Sequence, residues 1–319
     1  LVIARAKAGR LEVESGSAKE GAINVVRVGQ SQRIGIQFTG LGPARDLRVD
    51  LTGVLDDDSP LVRWSIKVDN PGGEALSAVR FPYVTAAPAI GAPADDFIVA
   101  PALPGAMIEN PARSWPVNYS VTWAFPGAQS AQFCSLQDLT AGVYIASMDT
   151  GGHGRALRIG KQSDHSFLLY QEYVMPEEPA TQWASPYEVA LGVTSGTWQQ
   201  TADIYKRWAV RQPWCARTID QREDIPALWK QGPSVHICSV RSAVGDRYST
   251  LVKHLCEFRQ SIDGPVVPML AGWEKHGTWI AGDYFPVFGG KRAADAFIQL
   301  RHDGLLPLFY LSGLNYTSK

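Results

Sequence analysis

The chain has 319 residues, 45% hydrophobic and 19% charged, a mixture that argues against disorder and supplies enough apolar surface for a sizeable core. Lys and Arg total 30 against 31 Asp and Glu, with no basic run, so the electrostatic footprint of a nucleic-acid-binding protein is missing and a neutral ligand fits better. No stretch reaches the length of a membrane-spanning helix, and the length exceeds that of most single cores, so two domains are expected.

The first residues, LVIARAKAGRLEVESG, lack the charged-then-apolar order of a signal peptide, and the start without Met leads to the expectation that an N-terminal part precedes them. From residue 1 to about 195 the chain reads as short strands. INVVRV, RIGIQFTG, RDLRVDLTGVL, VRWSIKVDN, SAVRFPYV, GVYIAS, HSFLLYQEYV and YEVALGV alternate or are rich in β-branched residues. Turns such as Asn70-Pro71-Gly72-Gly73 separate them. Many strands without helical periods predict a β-sandwich. The Pro- and Ala-rich stretches AAPAIGAPADD and PALPGAMIENPARSWP are expected to be surface loops. Asp149 and His153 fall in a Gly-rich segment between two strands, for which a hairpin is the expected structure.

The pattern changes at Thr197. Trp198, Ala202, Tyr205, Trp208 and Ala209 recur at spacings of three and four, which predicts one apolar face of a helix packed on the sandwich and stopped by Pro213. After Pro226 strand and helix alternate. Ser234 to Val240, Pro265 to Trp273 and Leu306 to Gly313 read as strands, and Arg247 to Ile262 and Lys291 to Gly304 as helices. That order predicts parallel strands joined by crossovers. It corresponds to the first three strands of a (β/α)8 barrel, which needs eight. The expected organisation is therefore mainly β followed by α/β: a sandwich domain over residues 1–225 with a linking helix, then residues 226–319 as the start of a truncated TIM barrel. A small three-stranded α/β appendage is the alternative.

In parallel α/β folds the carboxyl ends of the strands and the loops after them line the site. The second of these strands runs into GWEKHGTWIAGDYFPVFGG, which places Trp273, Glu274, His276, Trp279, Asp283 and Tyr284 in one long loop. The third ends in FYLSGLNYT, with Tyr310, Ser312 and Asn315 at the same rim. Carboxylates and imidazole bind hydroxyls, and indole faces cover the apolar side of a sugar ring, so the group reads as a saccharide-binding rim. The alternative is that the carboxylates are solvated and the indoles merely seal the barrel top. No H-E-x-x-H, C-x-x-C or G-x-S-x-G pattern is present, so neither a metal nor another cofactor is expected. Cys134, Cys215, Cys238 and Cys256 lie in apolar stretches and are expected to be buried free thiols.

SVTWAFPGAQSAQFCSLQDLTAGVYIASMD, TWQQTADIYKRWAVRQPWC, the GWEKHG…GDYFPVFGG loop and FYLSGL follow one another in an order that resembles a group of bacterial glycoside-hydrolase-like proteins. That group has a galactose-mutarotase-like N-terminal supersandwich and a (β/α)8 catalytic barrel, and is similar to the endo-α-N-acetylgalactosaminidases. The resemblance runs from about Arg33 onward. It implies a carbohydrate substrate, hydrolysis of glycosidic bonds by two carboxylates on middle barrel strands beyond Lys319, and a substrate-binding role for the Trp273, Glu274, His276 and Asp283 loop. A periplasmic or extracellular location is expected only from such a role. A non-catalytic carbohydrate-binding or scaffolding protein is the other function that the residues allow.

Overall fold

The structure is a computed structural model that describes residues 2–7, 9–72, 75–86, 90–91, 95–102, 104–175, 180–230, 235–241, 248–275 and 284–310, with side chains from residue 12 onward except 228 and 236–241. The chain divides into two compact units, Leu1–Ala216 and Arg217–Lys319.

The first unit contains strands β1 (Val2–Lys7), β2 (Gly9–Glu14), β3 (Glu20–Val28), β4 (Ser31–Leu41), β5 (Ala44–Asp56), β6 (Leu61–Asp69), β7 (Leu76–Ala86), β8 (Phe97–Ala100) and β9 (Ala106–Glu109). A one-turn helix α1 (Pro111–Ser114) precedes β10 (Ser120–Phe125), β11 (Phe133–Gln137), β12 (Ala141–Ser147), β13 (Arg155–Lys161), β14 (Phe167–Tyr173), β15 (Gln182–Ala184) and β16 (Val189–Ser195), and helix α2 (Trp198–Ala209) closes the series. They form a six-stranded sheet in the order β10-β13-β14-β7-β1-β2. A ten-stranded sheet runs β3-β4-β5-β6-β16-β12-β11-β8-β9, with β15 also on β6.

The strand period of two explains why these sheets stack. In β5, Leu47, Val49 and Leu51 are buried while Arg48 and Thr52 are exposed, and β6 answers with Ile66 and Val68 in register opposite Leu51 and Val49. These side chains share one core with Val79, Phe81, Ile159, Phe167 and Leu169 of the six-stranded sheet. Burial of each such side chain contributes roughly 1.5–3 kcal/mol, which makes this shared layer the main stabilising element of the unit. The opposite face of the large sheet presents Leu61, Phe133, Tyr144, Ala146 and Ala190, and Ala202, Ile204 and Tyr205 of α2 cover them. The predicted sandwich and its packed helix are thus both present.

Four expectations need correction here. Within the stretch expected to be loop, Ala106–Glu109 is a strand, β9, which pairs with β8 and extends the large sheet. Its Ala-Met-Ile-Glu sequence is too short to show a period against the flanking prolines. The Gly-rich segment after β12 is not a hairpin, because β12 pairs with β11 and β16 whereas β13 pairs with β10 and β14 of the other sheet. The turn crosses between sheets, and the Asp149 carboxylate captures its donors in place of a hairpin ladder. Trp198, placed by its spacing on the core face of α2, is 42% exposed, and the buried face instead centres on Thr201. Cys215 is likewise exposed, whereas Cys134 is buried and burial pushes its thiol up to about 12; the Cys238 side chain lies outside the described residues.

The second unit contains β17 (Val235–Arg241), α3 (Tyr248–Gln260), β18 (Val266–Ala271), α4 (Lys291–His302) and β19 (Leu308–Phe309). Its three strands lie in the order β17-β18-β19, and both pairings are parallel. Leu255 of α3, Leu300 of α4, Val266 of β18 and Leu305 make one buried cluster, so both helices pack against the strand between them. Leu251, Leu255 and Phe258 set the predicted helical period of α3; only Phe258 is left largely exposed.

Candidate functional site

Parallel pairing directs the carboxyl ends of β18 and β19 to the same side of the small sheet. Gly272, at φ +73°, ends β18 in the left-handed region that favours glycine. Trp273 and Glu274 follow directly. The Trp273 indole is buried and held from several directions: its ring stacks on Tyr284 at 5.4 Å and 10°, and meets the edges of Phe285 at 6.2 Å and Phe309 at 5.0 Å. Its Nε1–H donates to the Tyr310 carbonyl at 2.8 Å, its own carbonyl accepts from the Phe288 N–H at 3.0 Å, and the Tyr310 N–H donates to the Leu270 carbonyl at 2.9 Å. Trp273 thereby ties the end of β19 to the end of β18.

Glu274 is 0% exposed, and neither of its carboxylate oxygens has a hydrogen-bond partner among the described residues. An unpaired buried carboxylate costs several kcal/mol, because water has been removed and nothing replaces it. Such a group is an acceptor in want of donors, and hydroxyl groups or a cation would satisfy it. Among the described residues, no group of three or more His, Cys, Asp or Glu side chains is placed to hold a metal ion.

The residues singled out in the sequence are therefore distributed as follows. Trp273 and Tyr284 stack, Tyr310 meets Trp273 through its backbone, and Glu274 lies next to Trp273 in the chain. His276, Trp279, Asp283, Ser312 and Asn315 lie outside the described residues. Sequence reasoning missed Phe285 and Phe309, which complete the ring cluster. Their signal was present in DYFPVF and LFYL, but aromatic residues beside a strand end are not distinguishable from core without the contacts.

Residues 183–319 match a family model described as Domain of unknown function (DUF6259). No curated protein matches the chain. Among solved structures, the alpha-N-acetylgalactosaminidase NagBb from Bifidobacterium bifidum is similar: its Gal-NHAc-DNJ complex aligns with a TM-score of 0.66 at 13% identity, over 97% of this chain and 52% of that one. Its GalNAc complex gives a TM-score of 0.62 at 13% identity, over 97% and 53%, and its ligand-free form 0.55 at 11% identity, over 97% and 52%. The chain spans about half the length of these structures. No helix among the described residues is long and apolar enough to cross a membrane. With its stacked antiparallel sheets, the chain has a β-sandwich-rich fold similar to that of these structures.

Proposed function

We propose that the whole protein hydrolyses glycosidic bonds of oligo- or polysaccharides, that residues 226–319 open a (β/α)8 catalytic barrel, and that residues 1–225 form a separate sandwich domain. The observation that carries this reading is the buried, unpartnered Glu274 carboxylate next to the Trp273 ring stack, at the carboxyl end of a parallel strand. In a barrel that end is the catalytic face. Sugar hydroxyls would supply the donors that Glu274 lacks, and the surrounding rings would exclude water and so strengthen each bond. His276, Trp279, Asp283, Tyr284, Tyr310 and Ser312 would complete the same substrate-binding rim.

Glu274 is assigned to binding and not to bond cleavage. Hydrolysis requires two carboxylates, one protonating the leaving oxygen and one acting as nucleophile or as base toward water. We assign that pair to later barrel strands. Since the similar NagBb structures include complexes with GalNAc and Gal-NHAc-DNJ, N-acetylgalactosamine is the first ligand to test.

Calorimetric titration of the 319-residue chain with N-acetylgalactosamine, galactose and glucose tests the reading. The expected result is saturable binding of at least one sugar that weakens tenfold or more in Glu274→Gln, the loss of a charge-assisted hydrogen bond being worth about 1.5–3 kcal/mol. Failure of Glu274→Gln to weaken any component of the binding would remove the site.

A further inference from the structure

The segment Asp149–Arg155, which crosses from one sheet of the sandwich to the other, builds a second polar centre. Asp149 and Arg155 are both fully buried, and Arg155 Nη1 donates to Asp149 Oδ2 at 2.6 Å. Asp149 also accepts from the Gly151 N–H at 2.9 Å, the His153 N–H at 2.7 Å and His153 Nδ1 at 2.8 Å. Four donors thus occupy about all of the acceptor directions of one carboxylate. Burial works against its charge, but the bonds from His153 and Gly151 and the Arg155 charge together hold its carboxyl below the usual range. Arg155 Nη2 donates to Gln132 Oε1 at 2.7 Å, and the guanidinium lies 3.7 Å from the Phe125 ring centre.

A cleft of about 380 Å3 opens against this centre. Its lining includes the aromatic residues Phe125, Tyr205 and Trp214 and the polar turn residues Gln132, Asp149 and Gly151. Trp214 is 47% exposed, and its indole is braced edge-on by Trp208 at 5.7 Å, which in turn contacts Tyr205 at 5.7 Å. Thr150 and Gly152, on the same turn, have N–H groups that donate to no acceptor among the described residues. The cleft therefore combines a preorganised ring surface with hydroxyl and peptide groups, at a volume suited to one or two sugar rings. The Asp149–Arg155 ion pair is internally matched, so neither an anion nor a cation is favoured.

We propose that this cleft is a second saccharide site, carried by the sandwich, which binds a neutral sugar without transforming it. The aromatic residues stack on the apolar face of the ring, and the Thr150–Gly152 turn meets its hydroxyls. Asp149 cannot act as an acid or base here, because its acceptor positions are already occupied and its charge is matched by Arg155. The site does not rest on the reading of Glu274.

Ligand-observed NMR and calorimetry on the 319-residue chain test it, with methyl α-galactoside, methyl α-glucoside and N-acetylgalactosamine as the probes. Trp214→Ala removes the platform from an exposed position, and Thr150→Trp fills the cleft from another, so a fold defect in one leaves the other to decide. The proposal expects a saturable binding component for at least one probe that is weakened about tenfold or more by each variant, in keeping with the loss of a ring contact. Absence of saturable binding by every probe would overturn it. Binding that survives both variants and disappears with Glu274→Gln would also overturn it, while leaving the Glu274 site intact.

Discussion

At the scale of single residues, two carboxylates that a sequence shows as equal have opposite environments. Glu274 is buried with no donor among the described residues, whereas Asp149 is buried with four. Removing the first should therefore relieve strain on the free chain: Glu274→Leu is expected to raise stability by about 1–3 kcal/mol in urea unfolding while abolishing sugar binding there. Removing the second should do harm. Asp149→Asn strands Arg155 as an uncompensated buried charge, at an expected cost of about 3–5 kcal/mol. The pH dependence follows with a definite sign. The folded pKa of Asp149 lies below its unfolded value, so its contribution is complete above about pH 4 and is lost as pH falls through the folded pKa. Acid titration of stability should accordingly be shallower in Asp149→Asn than in the parent. The sequence showed Asp149 and His153 as neighbours in a turn, yet nothing in MDTGGHGR says that Arg155 folds back onto them. The same limit applies to Cys215, whose apolar neighbours suggested burial although the chain leaves it exposed.

At the scale of elements, legibility follows period and length. β5 and β6 were readable because they are long and half-buried, so that alternation is dictated by one solvated and one packed face. β8 and β9 are four residues each, and no period can be recognised over two repeats. The three-and-four spacing located α2, which ends at Ala209 before the expected stop at Pro213, but the rotation of the helix was misjudged: the spacing favoured Trp198 as core, while the sheet actually receives Thr201, Ala202, Ile204 and Tyr205. Entry to α2 depends on Gly196, at φ +91°, over which the Gln200 side chain folds to accept from the Thr197 N–H at 2.8 Å. A Cβ at Gly196 would stand 1.8 Å from Gln200 Oε1. Gly196→Ala should thus cost about 1–2 kcal/mol through strained backbone and loss of the cap, measured as a lowered midpoint in urea. The edge strand β3 offers a contrasting test. Ile23, Val25, Val26 and Val28 are 45–73% exposed on a strand whose outer edge has no partner among the described residues, the arrangement that invites pairing with other chains. Val25→Lys is expected to reduce light scattering on heating with little change in midpoint; unchanged scattering would show that aggregation begins elsewhere.

At the scale of the whole molecule, the sequence order of strands and helices was sufficient to foresee two organisations in one chain. A run of alternating strands led to stacked antiparallel sheets, and strand-helix alternation led to parallel pairing of β17, β18 and β19. The candidate site was less legible. The loop after β18 was identifiable by length and by its density of acidic and aromatic residues, but whether Trp273 offers its face to a ligand or to neighbouring rings depends on packing. In the structure its indole serves as the fastener between two strand ends, which leaves Glu274 as the group whose chemistry is unspent. Function at this scale reduces to what supplies the donors that carboxylate lacks. Diffraction from crystals soaked in N-acetylgalactosamine answers this directly. The account predicts a sugar hydroxyl within about 2.6–3.2 Å of a Glu274 oxygen, with the ring against the Trp273 and Tyr284 cluster. Glu274 paired instead with a cationic side chain of the protein, with no sugar at the end of β18, would contradict it.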